Sequence, residues 1–366
     1  MTIKGYTSPI AVHPGETIKE VLDVLQVTQV DLSLRTELSE KTISLILNGK
    51  HPITLETALK LERALGISKD GLIKMQTEYD CDLLRLKESE RLESETVELE
   101  KFAPCYSDLV KLGYVKSTKI LSEKVDNLLR FFNINSLLSL KETLPVAFRK
   151  SEKYKVNPQS IAAWLKIGRI EADKREVKEF DIKKLNQNIG KMRNLTIESP
   201  ESFSKELIEL CAESGVVLVY TPALKQTCIN GATSWLSPTK VLIQVSTRYH
   251  RADIFWFTFF HEIAHVLKHG KKEVFISYDS TQDQSESNQD EIEADAFAQE
   301  TLIPNQREFE GLVKSLNIEN EGLKIHQFAK SLNIHSGIVA GRIGKETGQW
   351  KRMEKFRQRI VLKKES

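Results

Sequence analysis

His261, Glu262 and His265 stand in the pattern HEIAH, and these residue types at this spacing can do metal-assisted hydrolysis. On a helix, positions i and i+4 stack on one face, so the two imidazoles can meet a single ion. Glu262 lies about 100° further round, beside the ion, where a carboxylate can take a proton from a water. A catalytic zinc usually has three protein ligands and one open position, so a third ligand is expected downstream. The stretch DEIEADAFA over 290–298 supplies it. Glu291 is the expected ligand, and Asp295, one helical turn on, is the expected acceptor for the second N–H of a ligand histidine. Ala294 and Ala298 share that face and allow close helix packing. Glu293 is the second choice of ligand. His269, at i+4 from His265, is a third, although a histidine near a helix end at Gly270 commonly serves the helix dipole. A purely structural zinc normally has four closed ligands and would leave Glu262 without a role. The chemistry expected is peptide hydrolysis with Zn2+ as cofactor and Glu262 as the acid–base group. Tyr249, His250 and His335 are candidates for assisting the oxyanion, without a spacing argument for any of them.

These residues must be carried by an α+β frame. Ile254–Phe260, interrupted by Thr258, reads as the buried lead-in to the HEIAH helix. Gly215–Tyr220 (GVVLVY) and Val241–Val245 (VLIQV) are apolar, β-branched runs bounded by turn residues, as buried strands are. Cys228–Trp235 contains Asn-Gly, a hairpin signal, so a small antiparallel sheet is expected, with an edge strand able to hold an extended peptide. Residues 280–290 (STQDQSESNQD) are polar and of low complexity, and a mobile loop is expected there. Residues 324–343 have a helix-turn-helix rhythm, for which capping of the hydrolase core is the preferred role. The basic tail, Lys351–Lys364, reads as a solvated helix face.

A second constellation lies near the start of the chain. Thr28-Gln29 opens a helix, Glu37-Leu38-Ser39 forms a turn, and a second helix runs from Glu40 to Asn48, with Ser39 as N-cap. Val30, Leu32, Leu34, Ile43, Ile46 and Leu47 are the expected core. In a helix-turn-helix the second helix enters the DNA major groove. Glu40, Lys41, Thr42 and Ser44 are then available to base edges, and Gln29 to a base or phosphate. Asn48, Lys50 and His51 lie toward the backbone. Acids and bases roughly balance over residues 1–75, which is unlike the basic footprint of many DNA readers. A few well-placed bases and helix N-termini can still hold phosphates.

The chain has 366 residues, 40% apolar and 28% charged, with net charge +2. That is an ordinary globular composition too long for one core, and it favours no partner by charge alone. Four segments are expected: 1–87 with the helix-turn-helix, 88–180 as a helical connector, 181–310 with the metal site, and 311–366 as a C-terminal helical subdomain. In the connector, the acidic run 88–100 suggests a linker or exposed helix, and Ile120, Leu121, Val125, Leu128, Leu129 and Phe132 recur with helical period. The cysteines Cys81, Cys105, Cys211 and Cys228 form no CxxC pair, which suits buried thiols in a reducing cytoplasm. No signal peptide or membrane span is expected.

FWFTFFHEIAHVLKHGKKEVF (255–275) followed by EIEADAFAQETLIP (291–304) resembles the ImmA/IrrE family of bacterial metallopeptidases, over roughly 181–310. One departure is Asp295, where many relatives have asparagine. Residues 13–66, with the HPGE opening and the NGKHPIT turn, resemble Xre-type regulators of the HigA antitoxin branch. LLRFFNINS and VAFRKSE resemble the connector of proteins that fuse the two modules. The resemblances imply a multidomain regulator that binds a double-stranded DNA operator, as a homodimer. Its zinc endopeptidase would cleave a regulatory protein: itself, a partner repressor or a toxin. The alternative they imply is an antitoxin and autorepressor that binds a RelE/ParE-type toxin, with the metal domain as sensor or scaffold.

Overall fold

Strands buried on both faces read as near-continuous apolar runs, and Val216–Thr221 (β1) is buried at every position, with Thr221 at its end accepting from Gln244. The computed structural model describes residues 9–147, 156–270, 274–278 and 289–362. Four expectations fall wholly or partly outside them: the first eight residues, part of the VAFRKSE run, most of the 280–290 loop, and the end of the basic tail. Contacts divide the chain into two compact units, Met1–Val97 with Thr118–Asp126, and Glu98–Ser117 with Asn127–Ser366.

The first unit holds α1 (Gly15–Leu25), α2 (Gln29–Thr36), α3 (Glu40–Leu47), α4 (Leu55–Leu65) and α5 (Lys69–Ser94). The acidic run from residue 88 continues α5 as helix as far as Ser94. Thr28 caps α2 through a capping box with Asp31, and the Ser39 hydroxyl caps α3 by accepting the Thr42 N–H at 3.1 Å. The tight turn between them passes through Glu37 in the left-handed region. Ile18, Leu22, Leu32, Ile43, Ile46, Leu47, Ile53, Ala58, Leu61 and Leu72 form the core. The HPGE motif belongs to this packing. His13 is buried, its Nδ1 accepts the Gly15 N–H at 3.0 Å, and its ring stands edge-on to Tyr79. Gly15 lies so close to the Ile46 carbonyl that no Cβ fits.

Val30 and Leu34 correct the expected core: they are 50% and 76% exposed. They sit one turn apart on the outer face of α2, while Leu32 and Thr36 occupy the inner one.

The second unit opens with α6 (Leu99–Lys111), followed by α7 (Leu121–Phe132), whose C-terminal half belongs to it. α8 (Pro158–Asp173), α9 (Ile182–Asn194) and α10 (Pro200–Ala212) lead into the sheet of β1, β2 (Ile229–Ser237), β3 (Lys240–Ser246) and β4 (Phe275–Tyr278). Between β3 and β4 runs α11 (Ala252–Lys268), and after β4 come α12 (Gln289–Leu302), α13 (Gln306–Ser315), α14 (Glu321–Ser331) and α15 (Ser336–Thr347). Strand order is β1-β3-β2-β4.

The sheet is mixed, which corrects the antiparallel expectation. β3 is antiparallel to β2, β2 is antiparallel to β4, but β1 runs parallel to β3, with Val216 opposite Val241. The hairpin β2–β3 turns at Pro238-Thr239, and β1 joins the free edge of β3 instead of pairing with β2. Asn230-Gly231 is not a turn; both residues lie inside β2.

Period-two alternation gives the sheet two apolar faces. Val216, Leu218, Tyr220, Val241, Ile243 and Val245 join the large core of α10, α11 and the C-terminal helices. Val217, Val219 and Leu242 face Ala172 of α8 on the other side. Gln244, also buried, donates to the Trp164 carbonyl of α8 at 2.7 Å. Pro158–Asp173, set apart by sequence as connector, is thus a layer on the sheet. α15 buries Ile338, Val339, Ala340 and Ile343 in the same core as α11, so the rhythm at 324–343 serves packing.

Ile43→Ala should cost about 2–5 kcal/mol in urea unfolding, because it empties a closed site in the first core. Leu34→Ala should stay within about 0.5 kcal/mol.

Candidate metal centre and nucleic-acid interface

α11 is buried along almost its whole length, from Ala252 to Val266, so each of its polar groups has to be satisfied inside the protein. His261 and His265 turn their Nε2 atoms toward each other at 3.0 Å. Glu291, from α12, brings Oε2 to 3.2 Å from His261 Nε2. One ligand atom from each of these three residues lies within 4.8 Å of the other two. The outer nitrogens are already engaged: Asp295 Oδ1 meets His261 Nδ1 at 2.9 Å, and His269 Nδ1 meets His265 Nδ1 at 2.8 Å. Two imidazole nitrogens and a carboxylate oxygen, converging with their far sides held, fit a zinc ion.

The sequence-derived set therefore separates clearly. His261, His265, Glu291 and Asp295 come together. Glu293 faces away from the three converging atoms: its Oε1 accepts from Gln289, and its Oε2 lies 3.8 Å from His269 Nε2. His269 reaches the outer nitrogen of His265, not the convergent side. His250 has a left-handed backbone and its carbonyl accepts the Ile360 N–H, His335 caps α15, and Tyr249 lies against the Arg248 guanidinium.

Glu262 is 0% exposed. Thr233 of β2 donates to its Oε2 at 2.6 Å, and Ser277 of β4 donates to its Oε1 at 2.6 Å. Burial pushes the carboxyl up to about 7, against the lowering effects of His261 and the two hydroxyls. For His261, burial pulls the other way, but hydrogen bonds to Asp295 and Glu291 and the charge of Glu262 outweigh it and push it up to about 10. Asp295 is held below the usual carboxylate range despite burial, through His261 and Lys345, whose Nζ is 3.6 Å away.

Sequence reasoning missed Thr233, Ser277 and Gly231. A Cβ built on Gly231 would lie 2.5 Å from Glu262 Oε1 and 2.7 Å from Thr258 Cγ2. The glycine inside β2 marks a close approach of this carboxylate. Its signal was the alternation that puts Gly231 and Thr233 on one face of the strand. Phe275 was also missed; its ring stacks on His265 at 4.3 Å.

In the first unit, Gln29, Ser39, Glu40, Lys41, Asn48 and Lys50 are exposed, and Thr42 and Ser44 are half-buried. Ser39 and Thr42 hydroxyls share a 2.8 Å hydrogen bond, and Asn48 Nδ2 donates to the Ser44 carbonyl at 2.8 Å. These four are engaged in the ends of α3, which leaves Gln29, Glu40, Lys41 and Lys50 as the long exposed side chains. His51 Nδ1 lies 2.9 Å from the Pro52 carbonyl.

Residues 18–72 match the helix-turn-helix family model, and residues 211–339 match that of the IrrE N-terminal-like domain. Two solved structures align with 24% of the chain, each with a TM-score of 0.22. One is a HigA-family addiction-module antidote protein from Coxiella burnetii, 26% identical over 95% of its length. The other is described as a plasmid-maintenance antidote protein from Nostoc punctiforme, 30% identical over 96% of its length. No curated protein matches the chain. The two family matches define a DNA-binding regulator joined to a protease-like domain. Its N-terminal helices are of the Xre-like kind, and its second unit carries a metallopeptidase-like domain of the IrrE/ImmA kind. No helix among the described residues is long and apolar enough to cross a membrane.

Gly231→Ala should lower the stability of the second unit by about 1–3 kcal/mol, because the added methyl must displace the Glu262 carboxylate or Thr258. Thermal unfolding of the variant beside the native chain checks this.

Proposed function

We propose that the chain is a transcriptional regulator whose second unit is a zinc-dependent endopeptidase acting on a regulatory protein. The observation that carries this reading is the convergence of His261 and His265 of the buried α11 with Glu291 of α12, beside Glu262. His261, His265 and Glu291 would hold the ion, and Asp295 would keep the hydrogen of His261 on Nδ1 so that Nε2 is free to bind. Zinc bound there would supply Lewis acidity toward a water and the scissile carbonyl.

Glu262 takes the proton from the attacking water and returns it to the amine nitrogen as the C–N bond breaks. Burial favours the protonated form that Glu262 passes through in that transfer. Thr233 and Ser277 hold its two oxygens in place. β4 ends the strand order and carries Ser277, so an extended substrate segment would add along it through main-chain hydrogen bonds. The target is a protein of the regulatory circuit, either this chain or a partner repressor or toxin. The segments 1–87, 88–180, 181–310 and 311–366 are a proposed functional division within the two contact units, and the cytoplasm is the expected compartment.

On the DNA side, Gln29, Glu40 and Lys41 would face base edges or phosphates with Ser44, and Lys50 would contact the backbone. Ser39, Thr42 and Asn48 would act mainly by fixing the ends of α3. Two copies of the chain would read a two-fold operator.

The HPGE and NGKHPIT motifs favour a second reading, in which the first unit neutralises a toxin and represses its own promoter. His13 and Gly15 of HPGE are used in packing, while Asn48 and Lys50 of NGKHPIT are exposed; the converging metal ligands of the second unit make DNA-linked proteolysis the better supported function.

Native protein and Glu262→Gln, both loaded with zinc, should bind the metal equally. Only the native protein should release fragments of itself or of a co-purified regulatory partner, detected by mass spectrometry, with the variant slower by about 100-fold or more. Zinc-loaded native protein that cuts neither would leave the antitoxin reading in its place. Lys41→Ala with Lys50→Ala should weaken binding to the chain's own promoter DNA, and should reduce the salt slope by about one unit per lost phosphate contact.

A further inference from the structure

Three imidazoles stand in line along α11 and its end. His261 and His265 face each other through Nε2, and His265 and His269 face each other through Nδ1. Each end of the line meets carboxylate. At one end Asp295 accepts from His261 Nδ1. At the other, His269 Nε2 points at Asp290 Oδ1 and Glu293 Oε2, at 3.6 and 3.8 Å. The His269 side chain is 6% exposed, and its Nε2 is buried without a hydrogen-bond partner among the described residues.

The tautomers of this line are coupled. An Nε2 lone pair beside two carboxylates is repelled, so His269 keeps its hydrogen on Nε2. Its Nδ1 is then an acceptor, and His265 must donate to it from Nδ1. The Nε2 of His265 is left as a lone pair, aimed at the gap between the two histidines. Asp295 imposes the same order on His261 from the other side. Carboxylates at both ends thus favour lone pairs in the middle, where Glu291 Oε2 also stands, 3.2 Å from His261 Nε2, and a cation there would satisfy all three atoms.

We propose that His269 is the positioning residue of the metal centre: it relays the charge of Asp290 and Glu293 to His265 and fixes that ligand's tautomer. This rests on the reading that His261, His265 and Glu291 bind the ion. His269 does not join them as a ligand, because its Nδ1 meets the outer nitrogen of His265 and its Nε2 faces the acids. The consequence reaches α12: Glu291 contributes to the ion, Asp295 supports His261, and Asp290 with Glu293 supports His265.

The test uses the full chain, stripped of metal, with zinc affinity measured by chelator competition and cobalt(II) loading followed by its visible spectrum. His269→Phe keeps a ring against Phe275, which lies 5.4 Å from the His269 ring, and removes both nitrogens. It should weaken zinc binding about 10–100-fold while the cobalt spectrum keeps its shape. His269→Gln, whose amide oxygen can accept from His265 and whose NH2 can face the acids, should recover much of the loss. Asp290→Asn with Glu293→Gln should weaken binding in the same direction, and by less. Circular dichroism melts in chelator confirm that each variant is folded. A His269→Phe variant that binds as tightly as the native chain overturns the relay alone. So does one whose cobalt spectrum changes as it does in His265→Ala, which would make His269 a ligand. A native chain that takes up no zinc overturns the metal-site reading and the relay together.

Discussion

The helix α11 carries imidazoles and a carboxylate through an apolar core, and the second unit is arranged around satisfying them. A buried polar group without a partner costs on the order of 1–3 kcal/mol, and a buried charge more. Several neighbours of α11 accordingly bring a polar atom. β2 brings Thr233 and β4 brings Ser277 to Glu262. α12 brings Glu291 and Asp295 to His261. The C-terminal stretch brings Arg357 to Asp253 at the first turn, where Gly341 of α15 leaves room for the aspartate. The sheet is needed here for its two hydroxyls as much as for its apolar face.

This arrangement also explains which parts were readable in advance. HEIAH and the acids of α12 were legible because both sets obey helical spacing, and a helix fixes which of its own residues share a face. Thr28 and Ser39 were legible for a similar reason, since a cap is a local interaction. What escaped were facts that depend on a second element. Asn230-Gly231 carries a strong local turn signal, but Glu262 arrives from another part of the chain and requires the missing Cβ inside a strand. The parallel pairing of β1 with β3 is a choice between two edges of a hairpin, and both edges present the same kind of apolar run. Val30 and Leu34 satisfy the composition of a core helix, yet α2 is covered on one side only.

His269 is a mixed case. Its spacing from His265 was visible, and the sequence offered it as a third choice of ligand or as a partner of the helix dipole. The structure puts it on the other side of His265. His269 is the C-cap, with an extended backbone, and its ring folds back to the Nδ1 side of His265.

The pairing of α11 with α12 also bears on how such a sequence can vary. Positions 261, 265 and 269 on one helix answer positions 290, 291, 293 and 295 on the other. Sliding either helix by one residue would mismatch every pair at once. The stretch between Gly270 and Gln289 contributes Phe275 and Ser277 through β4, but apart from that strand its length enters none of these pairs. Insertions and deletions should therefore accumulate on either side of β4 and be purged within the two helices. Related sequences aligned on this domain should show two blocks of fixed length around a short strand, with gaps confined to the joins.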